Sequence, residues 1–360
     1  MRIAIDARPL ASPLTGIGRY TDSLVRRLVQ SDDHEWFLYS DRPLATNQPG
    51  RSNVTIRTGD ARGGSPGSLR WAQWEYVKWA KQDQIDTFWS PRHHLPLLLP
   101  DRIRTVVTIH DLVWKRYPET MQRKNYWLER FLMGPSIQKA DQVICVSGFT
   151  AKEVNHFYPK AIDKCTVVYE AADLPPLSTE SLPDEVKEPY LLFVGTLEPR
   201  KNLARLLKAY ASLNKHEVPN LALVGGQGWG DLVLEETIKD LDLATRVQLL
   251  GYVSDDELQT LYSKASCLLM PSLYEGFGLP ALEAMQHGVP VIYSKGTSIE
   301  EVVGPGGISV NPGSADEIAS AILSLTSADS SALSNNARNQ AARFSWDTAA
   351  QQTLEVLIAC

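Results

Sequence analysis

The stretch PSLYEGFGLPALEAMQHGVP, from Pro271 to Pro290, decides how the rest of the chain is read. The apolar run before it, Ser266-Cys267-Leu268-Leu269-Met270, predicts a buried strand. A glycine-rich turn follows, with Pro280 at the first helical position, and Ala281 to His287 continue as a short helix. Gly276, Phe277, Gly278 and Leu279 therefore lie where a loop feeds a helix N-terminus. Free backbone N–H groups and the positive end of the helix dipole suit a phosphate there. Two carboxylates frame the site, Glu275 in the loop and Glu283 one turn into the helix. A carboxylate beside an anion site is electrostatically costly unless it grips hydroxyls, and sugars and riboses supply hydroxyls.

The segment upstream carries matching chemistry. Tyr190 to Val194 reads as a strand and Leu203 to Leu213 as a helix. Gly195-Thr196-Leu197-Glu198-Pro199-Arg200-Lys201-Asn202 joins them, so Arg200 and Lys201 stand between a strand end and a helix start. They can neutralise a diphosphate, Arg200 as a planar fork and Lys201 as a point charge. Leu221 to Val224 is the next strand, followed by the glycine-rich run Gly225 to Gly230, in which no G-x-G-x-x-G register fits. Arg246 to Leu250 is another strand, with Gly251-Tyr252-Val253 at its end, and Ser254 with Glu257 forms a capping box. Asp240-Leu241-Asp242 matches D-x-D but falls at the end of an amphipathic helix, so it reads as surface charge and no metal is expected there.

The first half alternates strand and helix as well. Arg2 to Ile5 is a strand, and Gly16-Ile17-Gly18-Arg19-Tyr20 opens a helix. A nicotinamide-binding reading needs a third glycine, where this chain has Thr21. The aromatic stripe Trp71, Trp74 and Trp79 reads first as core, the alternative being a surface-exposed share that meets a membrane interface or stacks on an acceptor sugar, and Gly59 to Ser68 reads as a flexible loop. His93-His94 has no carboxylate or thiol at ligand spacing, so a metal reading is rejected and the pair is assigned to the acceptor side. The strand RTVVTI, Arg104 to Ile109, ends at His110-Asp111, and functional groups collect at the carboxyl ends of parallel strands. Asn125 to Ala140 predicts a helix kinked at Gly134-Pro135, and Ser147 caps the helix after it.

The bulk numbers agree with a globular protein of two or three domains: 360 residues, 43% hydrophobic and 22% charged. A net charge of −6 argues against a nucleic-acid binder. The four cysteines, Cys145, Cys165, Cys267 and Cys360, are dispersed and read as reduced thiols of a cytoplasmic protein. MRIAID runs straight into a strand pattern, so no signal peptide is expected, and no run of 18 apolar residues predicts a membrane span. Prolines crowd 173–188, which reads as a linker. The expected organisation is an N-terminal Rossmann-like acceptor domain over 1–172, a C-terminal Rossmann-like donor domain over 189–343, and a terminal helix over 344–360.

The setting EGFGLPALEAM, with Glu275 and Glu283 in E-x7-E spacing, resembles the signature of retaining GT-B glycosyltransferases of the family-4 type, the glycosyl transferases group 1. The resemblance is strongest from Tyr190 to Pro312. It implies an α/β fold of two doubly wound Rossmann-like domains facing a cleft, with the terminal helix crossing back to the first domain. It also implies metal-independent transfer of a hexose from a nucleotide sugar, UDP-glucose or GDP-mannose, to a hydroxyl of a glycan or lipid-linked acceptor, with no cofactor beyond that donor. Arg200 and Lys201 would hold the diphosphate, Glu275 the donor sugar, Glu283 the ribose, and Gly251-Tyr252-Val253 the nucleobase. Gly195 and Thr196 join the donor site. Gly16 and Gly18 would touch the diphosphate, and His110 would orient the sugar near its outer hydroxymethyl. Without a carboxylate nucleophile, the resemblance implies front-face attack. Bacterial relatives often build lipid-linked polysaccharide, which implies peripheral contact with the inner membrane face, although no basic amphipathic helix stands out. A nucleotide-sugar epimerase of the same fold and a non-catalytic sugar-nucleotide binding protein are the alternatives.

Overall fold

The computed structural model of the chain describes residues 1–12, 14, 16–45, 50–60, 64–173, 181–229, 234–327 and 331–359. Strands alternate with helices throughout, and the strands pair in parallel into two sheets. The first sheet comprises β1 (Arg2–Asp6), β2 (Glu35–Ser40), β3 (Val54–Thr58), β4 (Thr87–Ser90), β5 (Arg104–Ile109), β6 (Gln142–Cys145) and β7 (Cys165–Val167). Their spatial order is β3-β2-β1-β4-β5-β6-β7. The second comprises β8 (Tyr190–Val194), β9 (Asn220–Val224), β10 (Val247–Gly251), β11 (Cys267–Met270), β12 (Val291–Ser294) and β13 (Gly307–Val310), in the order β10-β9-β8-β11-β12-β13.

Both orders follow from composition. Central strands such as Tyr190–Val194 and Cys267–Met270 are buried along their whole length, as parallel strands covered on both faces must be. Right-handed crossovers through the helices then build each sheet outward from its first strand in both directions. The reversal falls between β1 and β4 in one sheet and between β8 and β11 in the other. Beyond the carboxyl ends of such a strand pair the crossovers diverge and leave a crevice, the usual ligand site of open α/β sheets.

Contacts divide the chain into two compact units. One holds Met1–Trp114, Arg123–Glu170 and Ser345–Cys360, the other Lys115–Gln122 and Ala171–Phe344. The last helix, Trp346–Ile358, is part of the first unit: Trp346 meets Tyr20 edge-on at 6.0 Å, Arg27 pairs with Asp347 at 2.7 Å, and Thr87 donates to Leu357 O. Ser345 caps it, accepting from the N–H groups of Asp347 and Thr348.

Several expectations need correction. Lys115–Gln122, assigned to the first domain by its position in the chain, belongs to the second unit, because Tyr117 packs on Tyr274 at 6.1 Å and Trp229 Nε1 donates to Thr120 O at 2.6 Å. Within the expected linker, residues 174–180 lie outside the described residues. Ala172, from the end of the expected acceptor domain, accepts from Gln286 and groups with the second unit. The loop expected over Gly59–Ser68 gives way to helix from Gly64, while residues 61–63 lie outside the described residues. The predicted kinked helix is a single helix, Arg123–Lys139, with Pro135 inside it. In the aromatic stripe, Trp71 and Trp79 pack with Tyr76 and Tyr39, but Trp74 is 70% exposed. The cysteines Cys145 and Cys267 are buried thiols and Cys165 is half-buried, while Cys360 lies outside the described residues.

Candidate active site

Three neighbouring strands of the second unit end in glycine: Gly195 after β8, Gly225 after β9 and Gly251 closing β10. Gly225 N–H donates to Gly251 O at 2.8 Å, so these ends lie side by side. A side chain on Gly225 would start 2.0 Å from Gly195 O, and its φ of +146° excludes one on backbone grounds too. The result is a row without side chains along the carboxyl edge of the sheet, where another backbone or a ligand can approach closely. Tyr252, next to the row, is 81% exposed and presents its ring to solvent.

Beside the row lies a compact charge cluster. Lys201 Nζ donates to Glu275 Oε1 at 2.6 Å, and Arg200 Nη1 donates to Glu275 Oε2 at 2.7 Å. Arg200 also reaches Tyr274 O at 2.7 Å and Glu198 Oε1 at 2.5 Å. Glu275 and Glu198 are buried. Burial alone would push the Glu275 carboxyl up, but Arg200 and Lys201 override it and hold its pKa at about 2. Asn202 sets the geometry of the turn. It adopts the left-handed conformation (φ 61°), and its Nδ2 donates to Pro271 O at 2.9 Å and Pro312 O at 2.8 Å. Leu273 N–H donates to Arg200 O, so the loop after β8 and the loop after β11 are tied by backbone as well as by charge.

The loop after β11 runs into the helix Leu279–Gln286. Gly278 is its N-cap with φ 113°, and Leu279 rather than Pro280 is the first helical residue. Ser298 Oγ donates toward Glu275 O at 2.8 Å and Phe277 O at 3.2 Å, fixing the loop from below. Phe277 is buried against Phe344. One turn into the helix, Glu283 accepts a hydrogen bond from the buried Tyr262 hydroxyl at 2.8 Å. The second unit thus places Gly195, Thr196, Arg200, Lys201, Gly251, Tyr252, Val253, Glu275, Gly276, Phe277 and Gly278 at or just beyond the carboxyl ends of its strands, with Leu279 and Glu283 in the first turns of the helix that follows β11. Gly230, the last residue of the glycine-rich run, lies outside the described residues.

In the first unit His110 follows β5 and is buried. Its Nε2 donates to Pro91 O at 2.9 Å, its Nδ1 faces Glu170 Oε1 at 3.0 Å, and Tyr20 meets the ring edge-on at 4.7 Å. The His110 backbone N–H donates to His93 Nε2 at 3.1 Å. His93 and His94 share one carboxylate, Glu129 Oε2, at 3.3 and 3.0 Å. Burial would raise the Glu129 carboxyl, and the two histidines instead hold it well below the usual range. Among the described residues no group of three His, Cys, Asp or Glu side chains is arranged to hold a metal ion. Gly16 opens the helix Gly16–Leu28, and Gly18 passes so close to the preceding loop that a Cβ would lie 3.1 Å from Pro9 O.

Glu198, Asn202, Tyr262 and Ser298 hold the second-unit site, and sequence reasoning assigned none of them a role there. Only Asn202 carried a local signal, as a residue type that tolerates left-handed backbone directly before a helix. Glu170 and Glu129 were missed because they stand 60 and at least 35 residues from their histidine partners.

Replacing Glu275 with Gln leaves the buried Lys201 without its counter-charge and Arg200 with Glu198 alone. We expect a loss of about 3–5 kcal/mol at neutral pH, measured by urea unfolding. Because the folded pKa of about 2 lies below the ordinary 4.5, the contribution of this carboxylate is complete above pH 4.5 and is lost as pH falls through 2. The gap between wild type and variant should therefore narrow across that window. A gap independent of pH would refute the assignment.

Comparison with known proteins agrees with this architecture. The family model described as glycosyl transferases group 1 matches residues 178–343, and that described as glycosyltransferase family 4 matches residues 14–174. The chain is 33% identical to O-antigen chain mannosyltransferase B of Escherichia coli, over 98% of both chains. It is 32% identical to O-antigen chain mannosyltransferase RfbU of Salmonella typhimurium, over 73% of this chain and 70% of that one. Among solved structures, sucrose-phosphate synthase from Thermosynechococcus elongatus superposes with a TM-score of 0.78 at 20% identity, covering 99% of this chain and 98% of that one, a likeness of fold. Two matched halves, a relative a third identical along its full length and two parallel α/β sheets place the chain among the group 1 GT-B glycosyltransferases, the family to which it belongs.

Proposed function

We propose that this glycosyltransferase moves a mannosyl group from GDP-mannose to a hydroxyl of a lipid-linked glycan acceptor, with retention of configuration. The single observation that carries the reading is the full-length similarity to an O-antigen chain mannosyltransferase. The mannosyltransferase names of both relatives favour GDP-mannose over UDP-glucose. In this reading Arg200, Lys201 and the helix start at Gly278 stabilise the leaving diphosphate, acting where charge develops. Glu275 and Glu283 accept hydroxyls of sugar and ribose, and Tyr252 stacks on the base. The bond from the anomeric carbon to the phosphate oxygen breaks as the acceptor oxygen bonds on the same face, and the acceptor proton passes to the departing phosphate. The role of His110 toward the sugar rests on the family resemblance alone.

Thermal-shift measurements against a panel of nucleotide sugars test the donor. A ligand at a hundred times its Kd should add about 2.7 kcal/mol to the folded state. GDP-mannose is expected to stabilise the chain and UDP-glucose to leave it unchanged; the reverse pattern would reassign the donor. Arg200→Ala and Lys201→Ala are each expected to lower turnover by about 10² or more, in excess chelator as in its absence. Wild-type turnover in either variant would remove those residues from the mechanism.

We further infer peripheral contact with an anionic membrane surface through the outward face of the helix Arg123–Lys139. Trp127 and Phe131 are 50% and 63% exposed and stack at 5.6 Å. Arg123, Lys124 and Arg130 share that face, whereas Glu129 turns inward to its histidines. Aromatic rings among cations and no exposed carboxylate suit an anionic interface. No helix of the described residues is long and apolar enough to cross a membrane. Co-sedimentation with phosphatidylglycerol vesicles should exceed that with phosphatidylcholine vesicles, and the Trp127→Ala/Phe131→Ala pair should reduce it by about tenfold. Unchanged binding by the pair would eliminate this face.

A further inference from the structure

The crevice at the strand-order reversal of the first sheet has a charge imbalance. β1 and β4 are neighbours there, with Ile5 opposite Trp89, and each strand end is followed closely by an arginine. Arg8 curls back onto the last residue of β1. Its Nε donates to Asp6 Oδ1 at 2.8 Å, its Nη2 pairs with Asp6 Oδ2, and Tyr76 adds its hydroxyl to Asp6 Oδ1 at 3.1 Å. The Asp6 charge is thereby committed. Among the described residues the remaining arm of Arg8, Nη1, has one long contact, 3.4 Å to Ser68 O.

Arg92 stands at the end of β4, and its backbone is pinned. Ser90 Oγ lies 3.0 Å from Arg92 O and 2.8 Å from His94 O, while Pro91 O is held by His110. The Arg92 side chain is half-buried, with Asp6, Arg8, Tyr76 and Glu129 as its charged and titratable surroundings. Among the described residues it makes no hydrogen bond or ion pair. Glu129 stands near enough to favour its charge but forms no ion pair with it, its Oε2 being bonded to His93 and His94. Burial, followed by the adjacent Arg8, pushes the Arg92 guanidinium below the ordinary arginine range. A half-buried cation fixed by its backbone, set beside a second guanidinium and without a side-chain partner among the described residues, is explained by a ligand that brings the missing charge.

We propose that Arg92, with the outer arm of Arg8, binds a phosphate or diphosphate group on the acceptor, at the carboxyl ends of β1 and β4. Guanidinium groups at the ends of adjacent strands suit an oxyanion with several oxygens better than a sugar hydroxyl. The same chemistry can come from the diphosphate of a lipid carrier or from a sugar phosphate. The proposal deepens the transferase reading and rests on it for the word acceptor, but the anion site stands on the geometry of the first unit alone.

The test is calorimetry of the full chain with inorganic pyrophosphate in saturating GDP, which fills any donor site. Wild type and Arg200→Ala should each bind pyrophosphate at one further site. Arg92→Gln should bind it about tenfold more weakly or worse, and Arg92→Lys, keeping the charge without the fork, should fall between. Farnesyl diphosphate and glucose 1-phosphate then separate the two sources, the tighter competitor identifying the natural one. In transfer assays Arg92→Gln should raise the acceptor KM by about tenfold and leave the donor KM within about twofold. Equal pyrophosphate affinity in wild type and Arg92→Gln, or no second site, overturns the proposal. If GDP itself fails to bind while Arg92-dependent pyrophosphate binding persists, the donor reading falls and the anion site stands.

Discussion

Glu275 is buried with an arginine on one oxygen and a lysine on the other, and the second unit's site depends on that arrangement. The carboxylate belongs to the loop after β11 and the cations to the turn after β8, and these two strands pair across the reversal of strand order. Removing three charged groups from water is unfavourable unless each is matched with good geometry. Here Glu275 faces two cations, Arg200 also holds Glu198, Lys201 is held by Glu275, and Asn202 and Ser298 fix the backbone on either side. The two loops are therefore tied to each other through buried charge and backbone, an arrangement that sets a helix start and a lysine in defined positions.

The glycines at the strand ends follow from the same constraint. A turn that brings Lys201 over the end of β8 needs room, and the Lys201 side chain passes 3.3 Å from where a Cβ on Gly195 would stand. Gly225 must lie against Gly195 for the same reason, since any side chain there would enter the neighbouring carbonyl. Charge pairing and absent side chains are thus two aspects of one close approach of backbone, and the space left above the sheet edge is a consequence.

Much of this was legible in the chain itself, because it is local. The alternation of buried strand runs with amphipathic helices requires two parallel sheets, and the EGFG and R-K motifs each sit a few residues past a strand end, where parallel sheets place ligands. What was not legible depends on partners distant in sequence. His93-His94 carries no local sign of Glu129, because the carboxylate arrives on a helix from another crossover. Lys115–Gln122 reads as part of the first half by position, and only the packing of Tyr117 on Tyr274 moves it to the second unit. His110 was placed correctly at a strand end, yet its fixation on both ring edges by Pro91 and Glu170 has no sequence signature at all.

A cluster whose cations already face carboxylates still leaves capacity for a diphosphate. Lys201 gives one of its three N–H bonds to Glu275. Each Glu275 oxygen accepts one cation in a plane that offers it a second lone pair. In the proposed reading a donor uses both remainders at once, its phosphate oxygens taking the free N–H bonds of Lys201 and its hydroxyls donating to Glu275. Neither interaction requires the ion pairs to break, so no reorganisation is needed when negative charge develops on the leaving group. A lysine without the glutamate would bind phosphate more strongly in the ground state, but it would also be free to move with it. In that reading, holding the charge still while binding it less tightly favours the transition state over the bound donor, the kind of difference by which a site accelerates transfer.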